Sequence, residues 1–282
     1  MNSTESQVPN PLEFEDQVFD FAFHPSENII ATGLITGEVF CFRYNQDENI
    51  ENENLLKIRP HRKSCRGLEF NLDGSGNVSK DKSIQVIDVS TGGILVTKHN
   101  AHDGPINCVQ QLNQYVLATG DDDGVIKLWD TRQGNETMEY SEHEDFISDL
   151  AFSAEHKTLV STSGDGTLSV YDIRRPNLDG RKAVVGSQEG ILNLFNWGNW
   201  GDCNDRFPGH PNSIDTIVKI TEDLICTGSS DGIIRAVGIL PNKFKGVIGD
   251  HGNDMPIERI RLSHDQNYLA SCSHDNTIHG YY

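Results

Sequence analysis

Tyr-Val-Leu-Ala-Thr-Gly-Asp-Asp-Asp-Gly-Val-Ile-Lys-Leu-Trp-Asp-Thr-Arg, residues 115–132, reads as a β-hairpin. The apolar run Val116 to Ala118 leads into a polar turn, Gly120 to Gly124, and Val125, Ile126, Leu128 and Trp129 then surround Lys127 as in a largely buried strand. Asp123-Gly124 offers the φ > 0 conformations that a tight two-residue turn demands. A hairpin alone is only marginally stable, so the informative feature is its repetition.

With Asp123 as reference, Trp129-Asp130 follows six residues later. The same frame sets Asp81 before Ile87-Asp88, Asp165 before Tyr171-Asp172 and Glu189 before Phe195-Asn196. It also sets Asp231 before Val237-Gly238, Asp275 before Tyr281-Tyr282, and Thr36-Gly37 before Phe42-Arg43. Successive spacings of 45, 42 and 42 residues from Thr36 to Asp165, then 42 and 44 from Glu189 to Asp275, give the period of propeller blades with four short strands each. Units of that size cannot bury both faces alone and must pack on one another. The expected fold is all-β, a seven-bladed propeller, with residues 1–10 a flexible polar tail and 11–282 a single domain.

About twenty residues before each turn acid stands a histidine: His102, His143, His210 and His251. This pattern resembles the G-H…W-D signature of the WD-repeat family. The resemblance implies a buried hydrogen-bonded chain of histidine, strand Ser/Thr, turn Asp and Trp. Only the third blade matches in full, through His102, Thr119, Asp123 and Trp129; the fourth has His143, Ser161 and Asp165 with Tyr171 in place of Trp. A buried carboxylate has to be paired or hydrogen-bonded, which an imidazole can do. Recurrence in several blades argues against a catalytic His–Asp pair. Asp121 to Trp129, Gly186 to Trp197 and Cys226 to Asn242 further resemble a nucleolar branch of the family. That likeness implies a part in ribosomal RNA production for the large subunit, in the nucleus and nucleolus, with the cytoplasm as a further location.

The frame breaks in one place. Asp165 to Glu189 is 24 residues, 18 short of the common period. The polar stretch Ile173 to Arg181, with Pro176 and Gly180, has no room for an outer and an inner strand. The fifth blade is therefore expected to be incomplete, lacking its inner strand and exposing Val184 or Leu192; a segment omitted from the sequence is the alternative. In the second blade Phe70 to Asp81 is 11 residues where Phe152 to Asp165 is 13. The missing pair should weaken its second strand, where Ser75-Gly76-Asn77 offers little apolar surface. Pro11 to Glu15 should supply the last blade's outer strand from the opposite terminus, with Leu12 and Phe14 on one side.

Forty-two acidic against 23 basic residues give a net charge of −19. Such a surface repels phosphate, which argues against direct nucleic-acid binding and for proteins as partners, basic ribosome-assembly factors among them. The chain is expected to be a monomeric subunit of a complex. The six cysteines form no C-x-x-C pair and lie mostly in strands, as reduced core residues do. No stretch has the length and apolarity of a membrane span, and the Asn2, Asn77 and Asn135 sequons carry no weight.

Gly228-Ser229-Ser230-Asp231-Gly232 fits G-x-S-x-G, but a nucleophile elbow needs a strand–turn–helix context and a hairpin is expected here. Asp121-Asp122-Asp123-Gly124 is no calcium loop, since Arg132 stands where the closing acid would be. No catalytic residue, cofactor or metal is assigned, and the chain is read as a non-enzymatic scaffold. Asp130-Thr131-Arg132 and Asp172-Ile173-Arg174 resemble the aromatic-Asp-x-Arg motif of substrate receptors that dock on the adaptor of cullin–RING ubiquitin ligases. The other reading is that Arg132 and Arg174 satisfy local carbonyls and the preceding Asp. Trp197 suits a seam between blades, and Trp200 is either a partner anchor or a second seam residue.

Overall fold

The computed structural model describes residues 8–281 except 46, 48, 72–75, 156, 173–181, 198 and 253–254. Its described strands form seven sheets. β1 (Leu12–Glu13) opens the chain, followed by β2 to β5 (Val18–Phe23, Ile29–Leu34, Val39–Arg43, Glu53–Ile58) in one four-stranded sheet. β6 to β9 (Gly67–Phe70, Gly76–Lys80, Ser83–Ile87, Ile94–Lys98) and β10 to β13 (Ile106–Asn113, Val116–Asp121, Ile126–Asp130, Asn135–Tyr140) form two more. β14 to β16 (Ile147–Ser153, Thr158–Ser163, Leu168–Asp172) and β17 to β19 (Lys182–Gly186, Ile191–Asn196, Asp205–Pro208) form three-stranded sheets. β20 to β23 (Ile214–Thr221, Leu224–Ser229, Ile233–Gly238, Lys243–Asp250) form a four-stranded sheet. β24 to β26 (Ile257–Leu262, Leu269–Ser273, Thr277–Tyr281) complete the last, which has β1 at its edge.

Contacts group the chain into two compact units, Met1–Ile30 with Phe42–Asn54 and Gly180–Tyr282, and Ala31–Cys41 with Leu55–Asp179. In the second unit Cys108, Ala118, Ile126, Leu128 and Ile147 pack with Leu150, Leu159 and Tyr171 between adjacent sheets. In the first, Leu192, Leu194, Ile214, Ile225 and Val237 do the same. Of the two residues of which one was expected to be exposed, Leu192 is completely buried, packed in one cluster with Ile214 of the following sheet, and Val184 is partly buried against the same cluster.

The 115–132 hairpin forms as read, with Leu117 opposite Trp129 and Gly120 opposite Ile126. Its turn is longer than the two-residue one expected. The Asp121 amide donates to the Val125 carbonyl at 3.1 Å around three residues, of which Gly124 has φ = 81°. A type I turn closed by one left-handed residue has this form. Gly124 is required twice over, because a Cβ there would lie 2.6 Å from the carbonyl oxygen of His143.

Burial follows strand order. β11, Val-Leu-Ala-Thr-Gly-Asp, is buried except at its first residue, whereas the outer β13, Asn-Glu-Thr-Met-Glu-Tyr, is exposed almost throughout. Bulges recur in register. Between third and fourth strands they fall at Leu128/Trp129, Val86/Ile87 and Ala236/Val237, the position six after the turn acid each time. Between first and second strands they fall at Ile106/Cys108, Ile147/Asp149, Ile214/Thr216 and Ile257/Arg259.

The short second repeat still builds four strands. β7 pairs with β6 from Gly67↔Ser79 to Phe70↔Gly76 and with β8 throughout, so the missing pair shortens the ladder and does not delete it. β1 docks on β26 through Leu12↔Ile278 and Glu13↔Thr277, and the Phe14 amide donates to the Asn276 carbonyl at 2.9 Å. Leu12 is buried, Glu13 exposed and Phe14 half-buried against the edge of Phe42, the alternation a strand requires.

Candidate functional site: histidine–carboxylate chains and the bulge residues

Each histidine of the frame sits before a first strand, where it meets the next hairpin's turn. His102 Nδ1 lies 2.8 Å from Asp121 Oδ2, and Nε2 lies 2.7 Å from Thr119 Oγ1. Trp129 Nε1–H donates to the same hydroxyl at 2.8 Å. One assignment satisfies every group: Trp129 donates to Thr119, Thr119 O–H to His102 Nε2, and His102 Nδ1–H to Asp121. All four are almost fully buried.

The carboxylate is Asp121, which corrects the assignment of Asp123. Three aspartates follow one another, and the first still belongs to β11 and points inward, whereas Asp123 is exposed in the turn. Burial pushes the Asp121 carboxyl up. Hydrogen bonds from His102 and from the Val125 and Asp123 amides outweigh it and hold the group below the usual carboxylate range.

Where serine occupies the place of Asp121, as Ser163 and Ser273 do, the turn aspartate takes the role. His143 bonds Asp165 at 3.1 Å and Ser161 at 2.6 Å; His251 bonds Asp275 and Ser271, both at 2.7 Å. Tyr171 fills the Trp position in the first case and packs on Tyr140, ring centres 4.3 Å apart. Asp165 is held well below the ordinary range, its partial burial outweighed by bonds from Thr167, the Glu144 amide and His143. His210 departs from the pattern. Its Nε2 meets Thr227 at 2.8 Å, but Asp231 is taken by Arg235 through two bonds of 3.0 and 2.6 Å.

In the His102, His143 and His251 chains both ring nitrogens are engaged, whereas His210 Nδ1 is buried without a hydrogen-bond partner. The G-x-S-x-G stretch is a turn between β21 and β22, where Ser213 Oγ–H donates to Ser230 Oγ at 2.8 Å. All six cysteines are free thiols, five of them buried.

The expected partner-binding residues divide. Arg132 donates through Nε and Nη2 to both oxygens of Asp130, at 3.0 and 2.6 Å, and its guanidinium lies 4.7 Å from the Tyr115 ring centre. Its side chain remains 57% exposed, but its fork is turned onto its own aspartate. Asp172 ends β16, and Arg174 lies outside the described residues. Trp200 is half-buried and meets Trp197 edge-to-face at 4.9 Å across the Asn196–Asn199 bridge.

Sequence reasoning missed the first-strand bulges. The extra residue in each is polar: Asn107 and Ser148 in one unit, Asp215 and Glu258 in the other. A bulge re-aims its side chain. Asn107 Oδ1 accepts from Arg66 at 2.8 Å and its amide bonds Asp122; Ser148 meets Thr162 at 2.8 Å. Glu258 pairs with His274. Asp215 opens to solvent yet is hemmed in by protein, and this desolvation, helped by the Glu258 charge, pushes its carboxyl up. The only signal in the sequence is a polar residue directly after Ile106, Ile147, Ile214 and Ile257.

Blade-like sheets of three or four strands, the shared turn, and a histidine–hydroxyl–carboxylate chain define a WD-repeat β-propeller. The WD domain, G-beta repeat model matches residues 93–130, 134–172 and 242–281. The chain is 43% identical to WD repeat-containing protein JIP5 of Coprinopsis cinerea, covering 93% of this chain and 71% of that protein. It is 40% identical to WD repeat-containing protein 55 of Rattus norvegicus (96% of this chain, 75% of the relative) and 41% to that of Arabidopsis thaliana (95% and 80%). The chain belongs to the family of WD repeat-containing protein 55.

Proposed function

We propose that the protein is a non-enzymatic scaffold acting in the nucleus and nucleolus, where it holds proteins during large-subunit ribosomal RNA processing. The supporting observation is the 40–41% identity to WD repeat-containing protein 55 across about 95% of the chain. WD-repeat propellers are protein-interaction platforms, and a net charge of −19 suits basic partners such as ribosome-assembly factors. We also take the seven sheets as seven blades, the fifth without its innermost strand. In support, β17 occupies the second-strand position and has no neighbour on its other edge among the described residues.

The docking reading, a receptor for a cullin–RING ligase adaptor, is less favoured because Asp130 and Tyr115 already engage Arg132. Affinity purification of the tagged chain from nuclear extract, with mass spectrometry, tests both. Large-subunit assembly proteins, and accumulation of ribosomal RNA precursors on depletion, are the expected results. Adaptor and cullin without them would favour the receptor, and neither set would overturn the scaffold role in ribosome assembly.

A further inference from the structure

We propose that His251, Asp275 and His279 form a site for a divalent transition metal of the zinc class. One ligand atom from each lies within 4.8 Å of the other two. His251 comes from the segment after β23, Asp275 from the β25–β26 turn, and His279 from β26.

His279 sets this hairpin apart. Four residues after the turn position the other hairpins carry Phe40, Gln85, Lys127, Ser169, Asn193 and Arg235, none of them an imidazole. His279 stands opposite Ser271 in the β25–β26 ladder, and Ser271 holds the far nitrogen of His251. The two imidazoles therefore meet edge-to-face, centres 4.7 Å apart. The His279 ring nitrogens have no hydrogen-bond partner among the described residues, so a lone pair is available.

The chemistry suits the donors. His251 Nδ1 and Asp275 Oδ2, now 2.7 Å apart around a proton, face each other as two metal ligands do. A tetrahedral zinc ion with bonds of about 2.0–2.2 Å spaces its ligand atoms by about 3.4 Å, so the pair has to open by somewhat over half an ångström. The proton on Nδ1 moves to Nε2, and Nε2–H then donates to Ser271 Oγ. That bond fixes the ring and its tautomer in the way outer partners of ligating histidines do. No net proton is released by the neutral ring. Two nitrogens and one carboxylate oxygen are a donor set zinc accepts, with the fourth position left to water.

The metal would fasten the segment at His251 to the hairpin whose β26 receives β1. Its effect should therefore be read in stability as well as in binding. The test titrates the metal-free full chain with Co²⁺ and then Zn²⁺, following cobalt absorption, calorimetry and the melting temperature. The expected result is one Co²⁺ per chain with a tetrahedral absorption band, displaced by Zn²⁺, and a melting temperature that rises with free Zn²⁺. His279→Gln should melt like the parent without metal, lose the band and bind at least tenfold more weakly. His264→Gln, an exposed histidine elsewhere, should bind as the parent does. Absence of stoichiometric binding, or binding unchanged by His279→Gln, would overturn the site.

Discussion

His102 donates to Asp121 across 2.8 Å, and the side chain of the turn residue Asp123, two positions further on, takes no part in the buried chain. Asp121→Ala therefore leaves His102 facing a buried void and strips two turn amides of their acceptor. Breaking a buried, hydrogen-bonded pair of this kind costs about 3–5 kcal/mol. Asp123→Ala changes an exposed side chain and should stay within about 0.5 kcal/mol. Urea denaturation of the two variants decides the matter; equal losses would return Asp123 to the chain.

Trp129 supplies both ends of a different test. It is 4% exposed among Ile84, Ile106 and Leu117, and its N–H caps the Thr119 hydroxyl. Trp129→Ala should cost about 3–5 kcal/mol. Trp129→Phe keeps most of the apolar contact and loses the hydrogen bond, for about 1 kcal/mol plus the cost of a smaller ring. A Phe variant as unstable as the Ala variant would show that the hydrogen bond, not the packing, carries the residue's contribution.

What the sequence showed and what it hid divide along physical lines. Hairpins, their period and the docking of Leu12 beside Ile278 depend on local alternation and on counting, which a sequence displays. The choice among Asp121, Asp122 and Asp123 depends on where β11 stops, and three identical residues carry no signal for that. The capture of Asp231 by Arg235, four residues further on, takes the carboxylate from His210, and only geometry decides that competition. Which of Val184 and Leu192 is covered depends on the next sheet, where Ile214 packs in the cluster that buries Leu192 and leaves Val184 partly exposed.

Stability should depend on pH in two windows. Burial, with the Arg235 charge, lowers the His210 pKa below its ordinary value. The unfolded chain, with histidine near 6.5, then takes up this proton first as pH falls. Its contribution is complete above about pH 6.5 and is lost as pH drops through that value toward the folded pKa. The Asp121 and Asp165 carboxyls are depressed in the folded state. Their contribution is present above about pH 4, the unfolded value, and is lost as pH falls from there through the folded pKa. Urea midpoints measured from pH 8 to 3 should show both declines. For His210→Gln the upper one should shrink; an unchanged decline would assign it to another group.

The last prediction concerns how adjacent sheets meet. At the end of β11 a Cβ on Gly120 would lie 2.6 Å from Cγ2 of Ile147, the first residue of β14. The same approach recurs at Gly186 to Ile214 (2.7 Å), Gly228 to Ile257 (2.6 Å) and Gly33 to the sulfur of Cys65 (2.7 Å). A side chain entering beside a bare backbone fills the space between sheets without a void, which close-packed interiors require. Gly120→Ala should therefore overpack the site and cost about 1–3 kcal/mol. Ile147→Ala alone opens a cavity and should cost about 2–5 kcal/mol. In the double variant the added methyl occupies part of that cavity, so the two losses should fall short of their sum by about 0.5–3 kcal/mol. Gly246→Ala, where a Cβ meets nothing within 4 Å, is the control and should be close to neutral. Strict additivity of Gly120→Ala and Ile147→Ala in denaturation midpoints would mean that the backbone shifts to admit the methyl, and that the contact does not set the spacing between these sheets.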